Sequence, residues 1–257
     1  MEKIQLSKEN LNKLIDKNRY NIIKNRGGFG IVLPYENGLG LKFSADLIIN
    51  NCFDEDLFRE DLEGYKISEK QISYLANVQK NIKLSSLPKG VAYYNKKPVA
   101  VILKYFYNHD SLYNSSKEHS EVLYKMYKDV VIAVDELMSH GIYQLDIKES
   151  NFLYSKNDFR VQPIDFDGGL IRVGRGNRIY EERIYDDLIE MIYFMFSQKL
   201  VYLKSINCIN EKMYNDKLSS LKYIKSFIND YSIYDRAFNL IEDVKDNKIL
   251  EFKKNKY

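Results

Sequence analysis

Leu123, Tyr127, Val130, Val134 and Leu137 recur at three- to four-residue spacing, which predicts an amphipathic helix, and Gly141 supplies its stop. Upstream of Tyr107 the pattern is that of strands. "YNIIKN" reads as a strand running into the glycine cluster "RGGFG". "IVLPYENGLGLKF" reads as two strands joined by an Asn37-Gly38 hairpin turn. A helix is predicted from about Asp54 to Val78, then a second strand pair, "GVAYYN" and "VAVILKYF", joined by the turn "KKP". Downstream of Gly141 come two short strand candidates, "FLYS" and "VQPIDF", and then helices from about Tyr185 onward. A strand-rich first part and a helix-rich second part predict an α+β fold with two lobes. No linker-like stretch and no internal repeat divides the 257 residues.

Composition narrows the function classes. Hydrophobic residues make 45% and charged residues 29%, so the chain can bury a real core. Its 39 basic and 36 acidic side chains leave a net charge of +3, which gives no electrostatic case for nucleic acid. Cys52 and Cys208 are far apart, and with three histidines they form no zinc pattern. The expectation is a reducing, cytoplasmic setting with no secretory signal core and no membrane segment.

Candidate chemistry begins at the glycines. Gly27, Gly28 and Gly30 are followed by Val32 and, one hairpin later, by Lys42. A loop without side chains brings backbone N–H groups close to phosphate oxygens, and a lysine on the next strand reaches the same phosphates. The same glycines also serve a plain tight turn.

The second cluster is "HGIYQLDIKESNFLY", with Asp146, Lys148 at plus two and Asn151 at plus five. In-line phosphoryl transfer needs a carboxylate to orient the attacking hydroxyl, a cation near the transferring group and an oxygen ligand for magnesium. Those three residue types supply these needs. Fourteen positions past Asn151 stands Asp165 in "PIDFDGG", a second candidate metal ligand.

Taken together, "NRGGFGIV…LGLKF", "QLDIKESN" and "IDFDGG" resemble the glycine-rich loop, third-strand lysine, catalytic loop and Asp-Phe-Gly motif of the protein-kinase-like superfamily. The resemblance covers roughly Tyr20 to Ser197. It implies a single two-lobed domain, with an N-terminal lobe of about 1–106 built as an antiparallel sheet plus one helix. A mostly helical C-terminal lobe of about 107–257 completes it. It implies ATP and Mg2+ as cofactors, with Asp146 as base beside Lys148, and with Asn151 and Asp165 as metal ligands. Lys42 would be held by a helix glutamate: Glu69, on the apolar face of its helix, ahead of Glu63. Gly27, Gly28, Gly30, Val32 and Lys42 would line the nucleotide, and the adenine would meet backbone between Leu103 and Phe106, Tyr105 included.

Departures from the family pattern shape the rest. Asn25 stands for the first glycine of the loop, Gly40 for an alanine and Asp167 for the glycine of Asp-Phe-Gly. Gln144 and Leu145 stand for the His-Arg before the catalytic aspartate. Asp187, with Asp186 as alternative, corresponds to the aspartate that opens the large central helix and bonds the catalytic-loop backbone. Between Asp165 and Asp187 there is no Ala-Pro-Glu motif and no Ser or Thr. The leading expectation is an ATP-dependent Ser/Thr protein kinase. The alternatives are a small-molecule phosphotransferase of the aminoglycoside or choline type, acting on a hydroxylated metabolite, and a nucleotide-binding pseudokinase scaffold.

Overall fold

The computed structural model describes residues 1–24, 30–44, 47–48, 68–166, 171–174 and 176–252. Gly27, Gly28, Glu63, Asp167 and the predicted helix between Asp54 and residue 67 lie outside them. The chain divides into two compact units, Met1–Tyr107 with Asp165–Gly169, and Asn108–Ile164 with Leu170–Tyr257. The architecture is α+β.

The first unit is built on a five-stranded sheet. Its strands are β1 (Glu2–Gln5), β2 (Gly30–Pro34), β3 (Leu39–Ser44), β4 (Gly90–Tyr94) and β5 (Lys97–Lys104), in the order β1-β4-β5-β3-β2. The β2–β3 hairpin turns at Asn37 and Gly38, both at positive φ, as Asn-Gly chemistry dictates. Asn95 and Lys96, also at positive φ, turn β4 into β5. The sheet is mixed rather than antiparallel throughout, because β1 runs parallel to β4.

Two helices not expected from the sequence pack on this sheet: α1 (Lys8–Lys17), capped by the Ser7 side chain, and α2 (Arg19–Lys24). Residues 20–24 of the predicted strand "YNIIKN" are thus helical, and its Asn25 lies outside the described residues. A short apolar pair such as Ile22-Ile23 fits either period, and tertiary packing decides. Leu11, Leu14 and Ile22 join Ile31, Leu33, Leu41, Phe43, Ala100 and Ile102 in one buried cluster on one sheet face. Truncating Leu11, 1% exposed, to alanine should cost about 2–5 kcal/mol. On the opposite face α3 (Glu69–Val78) places Ile72 against Val91 and Val101. Its N-cap is Ser68, whose backbone is extended, so a single helix from Asp54 to Val78 is corrected to one that starts at Glu69.

The second unit holds β6 (His109–Ser111), α4 (Ser120–Ser139), β7 (Ile142–Gln144), β8 (Phe152–Ser155), β9 (Val161–Pro163), β10 (Ile171–Val173), α5 (Arg178–Ser205), α6 (Glu211–Phe227) and α7 (Arg236–Asp246). α4 follows its predicted stripe: Leu123, Tyr127, Val130, Val134 and Leu137 are all buried. They share one core with Leu188, Ile192, Phe196, Leu240 and Ile241. The helices after β10 begin at Arg178, seven residues before the predicted Tyr185. Asn177 caps them, its side chain accepting from the Tyr180 amide. Among the described residues no helix is long and apolar enough to cross a membrane.

Candidate functional site

The catalytic-loop candidate connects two short strand pairs of the second unit, β7 with β10 and β8 with β9. Past the end of β7, Leu145 and Ile147 are buried and belong to the core, while Asp146 between them is half-exposed. A 3-10 turn, Glu149–Asn151, then brings Asn151 back. The Asn151 amide nitrogen donates to the Asp146 carbonyl at 2.8 Å and to Asp146 Oδ2 at 2.9 Å. Lys148 Nζ meets the same Oδ2 at 2.6 Å. Both donors converge on Oδ2, and Oδ1 carries neither. The backbone of Asn151 is fixed from both sides, by Asn151 N to Lys148 O at 2.9 Å and Ile164 N to Asn151 O at 2.8 Å. The three residues picked from sequence spacing therefore form one hydrogen-bonded group.

Residues not chosen from the sequence hold this loop. Gln144 is 2% exposed and donates from Nε2 to the Ile164 carbonyl at 2.6 Å. Arg183 donates to the Leu145 carbonyl at 3.5 Å. Asp187 was expected in that role at the opening of the helix. It lies instead about two and a half turns into α5, in an ion pair with Arg183 at 3.7 Å. Burial pushes its carboxyl up, against the lowering effect of Arg183, and Asp186 and Asp146 add to the rise.

In the first unit, Lys42 on β3 forms an ion pair with Asp165. The two side chains are 13% and 34% exposed. Asp165 takes φ +71, a left-handed conformation uncommon outside glycine and found often at functional positions. Lys42 lies opposite Val32 on one side and Val101 on the other. Gly30 leaves room for the lysine stem: a β-carbon there would stand 2.6 Å from Lys42 Cε. Leu103 is partly buried on the same face, and Phe106 lies under Lys104 Nζ, 5.1 Å from its ring centre.

Glu69 sits differently from its expectation. It is the exposed first residue of α3, and its carboxylate accepts from the Tyr93 hydroxyl at 2.6 Å. Burial, then the Glu69 carboxylate, push that hydroxyl up to about 12. The buried residues of α3 are Ile72 and Leu75, and Glu69 lies exposed in its first turn.

In the second unit the Asn151 side-chain nitrogen is committed to Asp146, which leaves its amide oxygen as an acceptor. In the first unit Asp165 carries a carboxylate; both are donor types suited to a hard cation. Among the described residues no group of three or more His, Cys, Asp or Glu gathers as a metal cluster.

No protein-family model matches the chain, and no curated protein matches it. The functional reading rests on the residues themselves.

Proposed function

We propose that the protein is an ATP-dependent phosphotransferase that moves the γ-phosphoryl group to a hydroxyl, with Ser or Thr of a protein as the leading acceptor. The observation that carries this reading is the convergence of Lys148 and Asn151 on one oxygen of Asp146. A solvated turn has no need of it: an ion pair this exposed adds only about 0–1 kcal/mol to stability.

In this reading Asp146 orients the acceptor hydroxyl and takes its proton, through the oxygen that neither neighbour occupies. Lys148 neutralises charge on the transferring phosphoryl. Lys42 binds the α- and β-phosphates, and the Lys42–Asp165 pair supports it by holding the ammonium on the sheet face. Asp165 and Asn151 would serve as magnesium ligands, and the metal would supply neutralisation of phosphate charge.

A small-molecule acceptor is the second reading. It is favoured by the twelve residues, 166–177, between Asp165 and the start of α5 at Arg178, a short span for a peptide-binding platform. Incubation with labelled ATP and magnesium, with protein substrates run beside a panel of hydroxylated metabolites, separates the two. Labelled protein supports the first reading and a labelled metabolite the second. Label in neither overturns the transferase.

A further inference from the structure

The second unit holds a cavity of about 710 Å3 where the first turns of α5 meet the chain that joins α6 to α7. That is the size of a ligand cleft. Arg178, Glu182 and Asp186 line it from α5, stacked on one helix face by their four-residue spacing. Tyr231, Tyr234 and Arg236 line it from the other side.

Arg236 is held by backbone. It donates from Nε to the Tyr231 carbonyl at 3.3 Å and from Nη2 to the Asn229 carbonyl at 3.5 Å. Its Nη1 faces Asp186 Oδ1 at 3.8 Å, an ion pair beyond hydrogen-bond range. A donor and an acceptor thus stand side by side at the cavity. One residue of an extended chain turns its N–H and its C=O to the same side, and so matches this pair.

The rings are held too. Tyr234 gives its hydroxyl to Glu181 Oε2 at 3.2 Å and stands edge-on to Tyr185, with ring centres 5.5 Å apart. Tyr231 gives its hydroxyl to Asp243 at 3.4 Å. Both remain exposed. With the hydroxyls spent, they present ring surface already fixed in orientation, which lowers the entropy cost of binding. Tyrosine and arginine are also the side chains that most often carry binding energy at protein interfaces. Charge selects the occupant: Glu181, Glu182, Asp186 and Asp243 outnumber Arg178 and Arg236 here. A cationic side chain over either ring meets a ring face and a carboxylate together.

We infer that this cleft docks an extended, lysine- or arginine-bearing segment of a protein partner. The segment's backbone lies on Arg236 and Asp186, and its cationic side chain on the tyrosine rings. The cleft shares no residue with the proposed transferase centre, so the inference stands apart from that reading.

Fluorescence anisotropy on the full chain tests it, with a labelled peptide of alternating lysine and alanine. A glutamate–alanine peptide of equal length and free spermine are the comparisons. The chain as a whole carries +3, so long-range attraction does not draw a lysine peptide to it. The lysine peptide should bind and the glutamate peptide should not. Tyr234→Ala, and the double variant Glu182→Gln, Asp186→Asn, should each weaken binding about tenfold. Tyr234→Phe should stay within about twofold of wild type. Neither carboxylate is buried, so the double variant should keep its Tm within a few degrees. No binding of the lysine peptide overturns the inference, and so does unchanged affinity in Tyr234→Ala or in the double variant. A preference for the glutamate peptide overturns it as well. Equal losses in Tyr234→Phe and Tyr234→Ala overturn the role of the ring. Spermine that displaces the peptide at matched ammonium concentration marks a polyamine site and overturns the protein partner.

Discussion

Lys42 and Asp165, 123 positions apart in sequence, form an ion pair within the first unit of the chain. The pair is partly shielded from water, so charge at either end matters more than at a surface bridge. Asp165→Asn keeps the volume and removes the charge. The expected outcome is a tenfold or larger loss of magnesium-dependent ATP affinity by calorimetry, with the magnesium dependence itself weakened. Equal ATP affinity with and without magnesium in the wild-type protein would contradict the role given to Asp165.

Chemistry and binding should separate at the second cluster. Asp146→Asn should lower turnover by roughly 100- to 10,000-fold, the range for losing a general base, with ATP affinity within about twofold of wild type. Lys148→Ala should also lower turnover and should shift Tm by only a few degrees at most, since its ion pair is largely exposed. Full turnover in Asp146→Asn means that another group accepts the proton.

Activity should not depend on phosphorylation of the segment after Asp165. The residue before Asp146 is Leu145, which is buried and cannot pair with a phosphate. Of the two tyrosines before Asp187, Tyr185 is 3% exposed with its hydroxyl on Asp135, which hides it from modification. Phosphatase treatment should leave the rate unchanged, and so should Tyr180→Phe. Tyr185→Phe is a different case: it strips the half-buried Asp135 of its donor and should lower Tm. A tenfold loss after phosphatase, restored by rephosphorylation, would overturn this.

Asp135 gives a pH signature. Burial pushes its carboxyl up, and the Tyr185 hydrogen bond only partly offsets this. A carboxyl raised in the folded state binds protons more tightly there than in the unfolded chain. Its ionisation therefore costs stability as pH rises through the window above 3.8, and that cost is relieved as pH falls. Asp135→Asn keeps an acceptor for Tyr185 and removes the charge. Its Tm at pH 7 should equal or exceed wild type by a few degrees, and the difference should shrink toward pH 4. A Tm gap that widens on acidification would reverse the sign.

The end of α4 is an exacting backbone position. Gly141 has φ +73, and a β-carbon there would stand 2.1 Å from the Gly174 carbonyl oxygen, while the Gly174 amide donates to the Gly141 carbonyl at 3.0 Å. Gly141→Ala combines left-handed strain with a backbone clash and should cost about 2 kcal/mol or more. A thermal melt should show Tm lower by about 4–8 °C. An unchanged Tm would mean that β10 moves freely away from β7.

The sequence by itself determined what is local or periodic. The Asn37-Gly38 hairpin, the stripe of α4 with its stop at Gly141, and the two short strands after Asn151 all follow from rules that span a few residues. The Asp146–Lys148–Asn151 group was legible for the same reason, since one turn suffices to bring its members together. Tertiary structure decided the rest, because partners distant in sequence leave no periodic trace. It made "YNIIK" helical, with Ile22 buried against the sheet, and gave Glu69 to Tyr93 by starting α3 at Glu69. It gave the loop backbone to Arg183, which donates to the Leu145 carbonyl, and set Asp187 in an ion pair with that arginine inside α5. It also set the Tyr105 ring against Gly40, a fit that depends on the register of two strands and on a side chain that is not there.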